Sequence, residues 1–563
     1  MNSPNLATLP GDLLLEVTSC LSSRIDILNL ALSSQHLFAS TCPVLYAHVH
    51  LGTAEQCQRT LSMLHSRPNI ARHVQKLYIR FSSGSSDYMT DLNGIAISGL
   101  LRELAPKLDA LHTFIWDANE IPQCDDMWFA LRVSCPRLRT LGTCYGSVIP
   151  SQHSHLLEFK NLRGFSLSLK YGYYVHHADD FQDALPFDGR LWDMLIRRCP
   201  NLEELHVLGG PLILDGTVHP LCHARWPLLH SLSLGDIVLD WSSGPGPMAA
   251  KRPFIAFLEA HQHLRSFRTS RTALSPHVLP SLDPSALPNL THFAGSLEHL
   301  QGMAPSHPQI THLAIEEPLI IRDLAPLLVV GVLQSLHCLT ELRIAFVFHS
   351  SYESGSLVRN LVGACPGLTT LEITCARRSS LKVDTLAKSV SALPRLRHLR
   401  LTLVPPATGE SLRVCASQIA HMIPRLHTFA LTFIPASLPL SLTPANFGLY
   451  DESGKYVIRT DEHGLPHSLS CTERRPALRL PFALPSIPIP LAVPLLSFGP
   501  FASSSRPRER KMKTHHFLMD LRTGTPRRGG LNLILECSTA GDEARVLTVL
   551  VGLSGLALWG FFA

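Results

Sequence analysis

A short phrase of the form Pro-x-Leu-x-x-Leu-x-Leu recurs along most of this 563-residue chain and limits the folds open to it. The copies that carry the proline begin at Pro106, Pro136, Pro200, Pro227, Pro288, Pro308, Pro366, Pro394 and Pro424. Weaker copies keep the leucines without the proline and begin at Val74, Asn161, His263 and Cys338. A single copy would mean little because leucine is common, but this many copies predict a repeat architecture.

The spacing of the phrase indicates what each repeat contains. The anchor leucines of the last copies recur about every 28 to 30 residues, within or near the leucine-rich-repeat range; they are Leu339, Leu368, Leu396 and Leu426. Leu368, Leu371 and Ile373 alternate as residues on one side of a short strand do. Residues 357–365 and 383–393, between copies, have helical apolar spacing. Such strand–helix units bury their apolar faces only by stacking, which predicts a solenoid with parallel strands on its concave side. The alternative is a non-repetitive α/β fold with leucine-rich strands.

A small helical cluster precedes the repeats. Pro10 can open a first helix, because the missing N–H costs nothing in the first turn, and the apolar residues that follow it fall on one face. Asp26 is the predicted N-cap of a second helix, and Pro43 the predicted start of a third. About forty residues can hardly bury so much apolar surface by themselves. Some of this surface should therefore face the next domain or a partner.

The run LPGDLLLEVTSCLSSRIDILNLALSSQHLFAS, residues 9–40, resembles an F-box. The matching positions are Leu9, Pro10, Leu13, Leu14, Val17, Leu21, Asp26, Ile27, Leu28, Leu30, Ala31, Leu32 and Leu37. The resemblance implies that these apolar side chains insert into a Skp-type adaptor, which links to a cullin scaffold. The candidate partner-binding residues are Leu9, Pro10, Leu13, Leu14, Val17, Leu21, Ile27 and Leu28. An F-box followed by irregular leucine-rich repeats is similar to the F-box/leucine-rich-repeat proteins abundant in mushroom-forming fungi.

The phrase stops after Ile434, and the rest of the chain has a different character. Residues 435–475 are predicted to form a terminal cap, with a strand around residues 456–459. Residues 476–545 are rich in proline and include the basic run 506–513, which predicts a disordered linker; a nuclear signal or nucleic-acid patch is the alternative for the basic run. Residues 546–563 are uncharged and at the short end for a membrane-spanning helix. A membrane anchor, a buried terminal helix and a tail without selected function all stay open for this segment.

No pattern of catalytic or metal-binding residues emerges. The 14 cysteines form no C-x-x-C pair, and the sequence has no nucleophile elbow, Walker loop or H-E-x-x-H motif. The 30 histidines include the pair His176–His177 near Asp179 and Asp180, which we interpret as polar or half-buried side chains. The insertion at residues 170–190 could contribute to target binding because it is rich in tyrosine and aspartate, and the alternative is an insertion without a binding role. A formal net charge of +5 is too mild for a dedicated nucleic-acid binder. We expect no enzyme activity, no cofactor and no metal.

These features predict an α/β protein in several parts. A short N-terminal all-helical F-box-like module at residues 5–50 is followed by an irregular leucine-rich-repeat solenoid at 51–434, the cap, and a partly disordered C-terminal tail. The predicted function is that of a substrate-recognition adaptor of a Skp–cullin–F-box ubiquitin ligase. It would bind the Skp-type adaptor through the helices and a target protein through the solenoid, in the cytoplasm or nucleus. The alternative is a leucine-rich-repeat scaffold without ligase association, with or without a C-terminal membrane anchor.

Overall fold

The structure, a computed structural model, describes most of the chain up to residue 475. The described residues are 9–21, 24–81, 87–176, 189–209, 212–213, 220–235, 237–238, 252–270, 274–321, 325–348, 351–375, 383–405, 410–434, 452–460 and 466–475. All of them belong to one compact unit, Met1–Pro476. Three segments with sequence-based predictions lie outside the described residues. They are the linker 476–545, the apolar tail 546–563 and residues 177–188 of the insertion.

Within the described residues, seventeen strands form one sheet. They are β1 (His48–Leu51), β2 (Lys76–Ile79), β3 (Thr113–Trp116), β4 (Thr140–Tyr145), β5 (Gly164–Leu169), β6 (Glu204–Leu208), β8 (Ser231–Leu234), β10 (Ser266–Thr269), β11 (His292–Gly295), β12 (His312–Ile315), β13 (Leu319–Ile321), β14 (Glu341–Phe348), β15 (Thr370–Cys375), β16 (His398–Leu403), β17 (Thr428–Phe433), β18 (Glu452–Thr460) and β19 (Pro466–Arg475). A separate two-stranded parallel sheet consists of β7 (Leu212–Ile213) and β9 (Ile237–Val238).

Helices alternate with the strands of the large sheet. They are α1 (Gly11–Ser19), α2 (Arg24–Leu32), α3 (Gln35–Leu45), α4 (Ala54–Ser66), α5 (Pro68–Ala71), α6 (Asp87–Leu104), α7 (Asp126–Ser134), α8 (Tyr171–His176), α9 (Gly189–Asp193), α10 (Pro220–His223), α11 (Pro253–Ala260), α12 (Leu297–Met303), α13 (Ala325–Gln334), α14 (Ser351–Ala364), α15 (Val383–Val390) and α16 (Leu412–Met422). Single turns of 3-10 helix lie at Ala105–Lys107, His155–Glu158 and Leu279–Ser281, and a π-helical turn at Met194–Arg198 follows α9.

Each copy of the recurring phrase leads into a parallel strand of the large sheet. Glu341, Thr370, His398 and Thr428 occupy one register position on the successive strands β14 to β17. The connecting helices α14, α15 and α16 pack side by side along the array. This repeated strand–helix arrangement is a leucine-rich-repeat solenoid, as the sequence predicted, and the α/β fold class is confirmed.

The proline of the phrase has a defined structural role. Helix α7 ends at Ser134, and the N–H of Leu138 then donates to the carbonyl of Cys135 at 3.0 Å, closing a turn around Pro136. The same turn follows α16, where the N–H of Leu426 donates to the Ile423 carbonyl at 3.2 Å. Proline suits the second position of such a turn and disfavours helix in the residue before it. The phrase therefore stops one helix and starts the next strand.

The alternating leucines form the core of the solenoid. Leu368, Leu371 and Ile373 are each fully buried, as their spacing predicted. One hydrophobic cluster runs from Cys42 in α3 to Ile458 in β18, so each repeat packs on the apolar faces of its neighbours. Because a repeat contacts mainly the adjacent repeats, stability in such an array is close to a sum of nearest-neighbour terms.

A row of threonines reinforces the sheet just before strands β11, β12, β14 and β15 begin. The hydroxyl groups of Thr311, Thr340 and Thr369 donate to main-chain carbonyls of the preceding repeat at 3.1 to 3.2 Å. Thr291 continues the row with a bond of 3.3 Å to the carbonyl of Arg265. Each of these carbonyls also accepts backbone N–H groups from the next repeat. The row adds a side-chain bond to each of these junctions.

The N-terminal helices α1 and α2 both pack on α3. As predicted, α1 begins directly after Pro10. The prediction of Asp26 as an N-cap is wrong, since α2 already begins at Arg24 and Asp26 lies in its first turn, where a carboxylate still interacts favourably with the helix dipole. The prediction that Pro43 opens a helix is also wrong. Helix α3 begins earlier because Ser34 caps it by accepting the Leu37 N–H at 3.1 Å, and Pro43 lies within its last turn.

The hairpin of β18 and β19 extends the sheet beyond the last parallel strand, and β18 pairs antiparallel with β17. Tyr456 of β18 is buried and stacks on Phe429 of β17, with ring centroids 5.0 Å apart. The ring of Tyr456 lies across Gly454, where a Cβ would come within 2.6 Å of the tyrosine hydroxyl. A glycine at this position therefore allows the tyrosine to cover the end of the core.

Most described cysteines are small apolar side chains of this core. Burial raises the pKa of Cys135, Cys144, Cys365 and Cys375 to about 12, so their thiols stay protonated at neutral pH. None of the described cysteines forms a disulfide. These buried thiols are chemically inert packing groups.

Candidate partner-binding surfaces

The first candidate surface is the exposed apolar face of α1 and α2. Leu13 and Val17 lie one turn apart on α1 with 48% and 40% of their surfaces exposed. On α2, Ile25, Leu28 and Leu32 share a face and are exposed as well, Leu32 by 72%. Side chains spaced by three and four residues form one continuous stripe on a helix. Large apolar residues clustered in this way typically mark a protein-binding surface.

The predicted docking residues divide into two sets in the structure. Pro10, Leu13, Val17 and Leu28 are exposed, and Leu9 and Leu21 are half-buried. Leu14 is fully buried and Ile27 nearly so. Ile27 packs with Ala31 and Leu45 in the small core of the module. The exposed set is available to a partner, while Leu14 and Ile27 hold the helices in place. Adaptor binding by any of the eight stays a prediction.

The second candidate surface is the concave face of the sheet. Residues in β15, β16 and β17 alternate regularly between buried and more exposed positions. The buried set faces the helices, so the other set points away from them into the concavity. Because parallel strands pair in register, these outward residues line up in rows across the repeats. One row carries Arg268, Ala294, Ala314, Arg343, Glu372, Arg400 and Ala430.

Two arginines of this row converge on one carboxylate. Arg343 Nε lies 3.3 Å from Glu372 Oε1, and Arg400 Nη1 lies 3.2 Å from Glu372 Oε2. The Glu372 side chain is only 15% exposed, whereas those of Arg343 and Arg400 are 50% and 61% exposed. The cluster thus holds two cations against one anion. It presents the cations to solvent.

A second ion cluster lies at the carboxyl ends of β2, β3 and β5. Asp117 Oδ1 accepts from Lys170 Nζ at 2.5 Å, and its Oδ2 accepts from Arg80 Nε at 2.8 Å. Burial alone would raise the pKa of the Asp117 carboxyl, but Lys170 and Arg80 outweigh burial and hold it below its ordinary value. The carboxylate therefore stays ionised and ties three repeats together.

Imidazole rings occupy several outward positions of the concave face. His50 stacks on Tyr78 with ring centroids 4.3 Å apart. His292 stacks on His312 at 3.9 Å, and His312 Nε2 lies 3.6 Å from Glu341 Oε2. Partial burial lowers the pKa of His292, and the adjacent His312 lowers it further. The stacked rings form flat contact surfaces on the concave face.

The histidines and aspartates that the sequence analysis named in the insertion lie only partly within the described residues. His176 is exposed at the end of α8, but His177, Asp179 and Asp180 lie outside the described residues. No group of histidine, cysteine and acidic side chains suited to a metal ion occurs among the described residues. No helix in the described part of the chain combines the length and apolar character needed to cross a membrane.

The concave-face arginines were not predicted from the sequence. Arg343, Glu372 and Arg400 occupy the variable positions of the phrase, where almost any residue type is allowed. Their common row appears only when strands of different repeats are aligned by the anchor leucines. The regular spacing of those leucines was the signal that could have revealed it.

No protein-family model matches the chain, and neither does any curated protein. Many solved structures resemble it, and they include the following two. The Rad7–Elc1 complex from yeast is 11% identical over 72% of this chain and 94% of that chain, with a TM-score of 0.39. The leucine-rich repeat-containing protein LegL7 from Legionella pneumophila is 10% identical over 57% of this chain and 90% of that chain, with a TM-score of 0.29. The leucine-rich-repeat fold assigned above follows from the chain's own strand register and repeated strand–helix packing.

Proposed function

We propose that this protein is a substrate-recognition adaptor of a Skp–cullin–F-box ubiquitin ligase, acting in the cytoplasm or nucleus. The observation that carries the proposal is the exposed apolar stripe on α1 and α2, which lies within the segment that resembles an F-box. Its side chains would dock into the apolar surface of a Skp-type adaptor, which would connect the chain to a cullin. Burial of a few well-placed apolar anchors typically supplies most of the energy of such an interface.

In this function the chain carries out no bond chemistry of its own. The solenoid would hold a target protein by its concave face, and the helices would bring the target to the catalytic part of the ligase. Holding a target lysine near a charged conjugating enzyme raises its effective concentration, which accelerates transfer without any catalytic side chain here. The continuous packing between α3 and the solenoid core supports this role, because it joins the two binding surfaces in one body.

Co-purification with a Skp-type adaptor tests the proposal. The full chain should capture the adaptor in equal amounts, and the double variant Leu13→Asp, Leu28→Asp should lose more than about tenfold in affinity, since each change places a charge in an apolar interface. Both side chains are exposed in the free protein, so the variant should keep its thermal midpoint.

Val133→Asp is the matched control, because Val133 is an exposed apolar residue on α7, away from the proposed interface. It should capture the adaptor as well as the unaltered chain does. If the folded, unaltered chain captures no adaptor, the ligase function is wrong and the alternative of a leucine-rich-repeat scaffold remains. Equal losses in the control and in the double variant would show that the stripe on α1 and α2 is not the docking site.

A further inference from the structure

We propose that the concave face across β14, β15 and β16 binds an acidic segment of the target, with Arg343 and Arg400 contacting one carboxylate or phosphate group. The inference rests on the proposed function, because it gives the chemical class of target that the solenoid would hold.

The geometry of the cluster presents guanidinium groups to a ligand. Arg343, Glu372 and Arg400 are direct cross-strand neighbours in one row. The contact to Glu372 uses one nitrogen of each arginine, whereas a guanidinium has five N–H donors. Both guanidinium groups lie within 3.3 Å of the same carboxylate, so they are presented in one small region of the concave face. Charge-assisted hydrogen bonds from guanidinium groups to a carboxylate or phosphate are roughly twice as strong as neutral ones.

The charge of the cluster is not balanced within it. One largely buried carboxylate faces two half-exposed cations, so an incoming anion would compensate an excess positive charge. The neighbouring outward positions on β15 and β16 are Thr370, Thr374, His398 and Thr402, so three hydroxyl groups and an imidazole surround the arginines. An acidic segment would therefore meet hydrogen-bond donors on both sides of its charged side chain.

The surroundings favour a peptide over a nucleic acid. A nucleic-acid backbone carries regularly spaced charges and requires an extended basic surface. Here the cationic site is local, and Glu341 lies on the same strand as Arg343. A chain with one or a few acidic side chains fits this pattern better than a polyanion does.

A peptide-library experiment on the full chain tests the inference. A degenerate synthetic library carries glutamate, phosphoserine, serine or lysine in equal amounts at its central position and is passed over the immobilised protein. We expect retained peptides to be enriched at least severalfold in glutamate, phosphoserine or both, and the enrichment to fall as salt is added. Enrichment in glutamate would identify a constitutively acidic segment, and enrichment in phosphoserine alone a phosphorylated one.

Two variants relate the enrichment to the cluster. The double variant Arg343→Gln, Arg400→Gln should abolish the enrichment in acidic peptides. The control Arg413→Gln removes one positive charge from the exposed side of α16, and it should retain the enrichment. Arg343 and Arg400 are half-exposed and Arg413 is exposed, so all the variants should remain folded. The double variant should have a lower thermal midpoint than the unaltered chain, because Glu372 loses both cations, although each glutamine can still donate a hydrogen bond to it. The inference is wrong if retained peptides show no acidic preference or if the double variant retains it. It is also wrong if Arg413→Gln removes it equally.

The same preparation also separates this inference from the proposed function. A variant that loses acidic peptides but still captures the Skp-type adaptor supports both proposals. If the unaltered chain enriches acidic peptides but captures no adaptor, the ligase function fails and the peptide site stands. If it captures the adaptor without enriching acidic peptides, the peptide site fails and the function stands. Tighter retention of a single-stranded RNA probe than of any peptide, lost in the double variant, would overturn the peptide proposal in favour of nucleic acid.

Discussion

At the scale of single residues, charged side chains connect repeats that are distant in sequence. Asp117 follows β3 and pairs with Arg80 after β2 and with Lys170 after β5. The Asp117 carboxylate is only partly exposed. If either ion pair is broken, water therefore cannot fully take the place of the lost cation as a hydrogen-bond partner of this carboxylate. The two arginines at Glu372 make a similar cross-repeat connection, but their heads are more exposed. We infer that Asp117 contributes mainly to stability, whereas the Glu372 cluster is available for binding.

The variant Asp117→Asn should lower the free energy of unfolding by about 1 to 3 kcal/mol at pH 7, because two charge-assisted bonds are lost. The pKa of Asp117 is lowered in the folded state, so its contribution is complete above the unfolded value of about 3.9 and disappears as the pH falls through the folded value. Urea unfolding at several pH values should therefore show the two proteins converging below about pH 4. Asp109→Asn, at an exposed position nearby, is the control and should change stability by less than about 0.5 kcal/mol at pH 7. A constant difference between Asp117→Asn and the unaltered chain at every pH would contradict this account.

At the scale of elements, two local features determine where a strand begins and how it pairs. They are the turn before the strand and the hydrogen bonds to the neighbouring repeat. The proline turn ends the preceding helix, and the anchor leucine enters the core directly after it. Between β11 and β15 the threonine row adds one hydroxyl bond to each junction. These local devices explain why strands remain parallel and in register although the segments between them differ in length.

Thr340→Val tests the contribution of the threonine row. Valine has nearly the same shape, so the change removes the 3.1 Å bond to the Thr311 carbonyl without opening a cavity. That carbonyl keeps two backbone donors, the N–H groups of Thr340 and Glu341, so the expected loss is about 0.5 to 1.5 kcal/mol of unfolding free energy. Thr370→Val on β15 is the control, since Thr370 makes no side-chain hydrogen bond within the described residues. If the two variants unfold at the same urea concentration, the row adds nothing to stability.

At the scale of the whole molecule, the solenoid is covered differently at its two ends. Helix α3, with α1 and α2 packed on it, covers the end at β1, and the β18–β19 hairpin covers the end at β17. The N-terminal helices thus cap the core and also carry exposed apolar side chains. At the other end, the hairpin caps the core by burying Tyr456 against Phe429. In a repeat array, damage at one end should remain local, because each repeat packs mainly on its neighbours.

Tyr456→Ser should therefore unfold the last repeats without affecting the first. Loss of a buried aromatic ring typically costs about 3 to 5 kcal/mol. Hydrogen exchange followed by mass spectrometry should show faster exchange in β16 to β19 and unchanged protection in β2 to β6. Tyr78→Ser on β2 is the control, because Tyr78 is only half-buried on the concave face and should leave protection at the far end unchanged. Uniform loss of protection along the chain in Tyr456→Ser would show that the solenoid unfolds as a single cooperative unit.

The sequence by itself determined the repeated α/β fold and the apolar character of the N-terminal helices, because both depend on local spacing. Leucines at every second strand position lie on one face of the strand, and the proline of the phrase favours a turn that ends the preceding helix. The starts of α2 and α3 were predicted wrongly. Helix α2 begins before Asp26, and α3 begins after Ser34, whose side chain caps it, and not at Pro43. Only the tertiary structure separated exposed Leu13 and Leu28 from buried Leu14 and Ile27. It alone brought Arg343, Glu372 and Arg400 into one row, because side chains from three repeats become neighbours only when the strands pair.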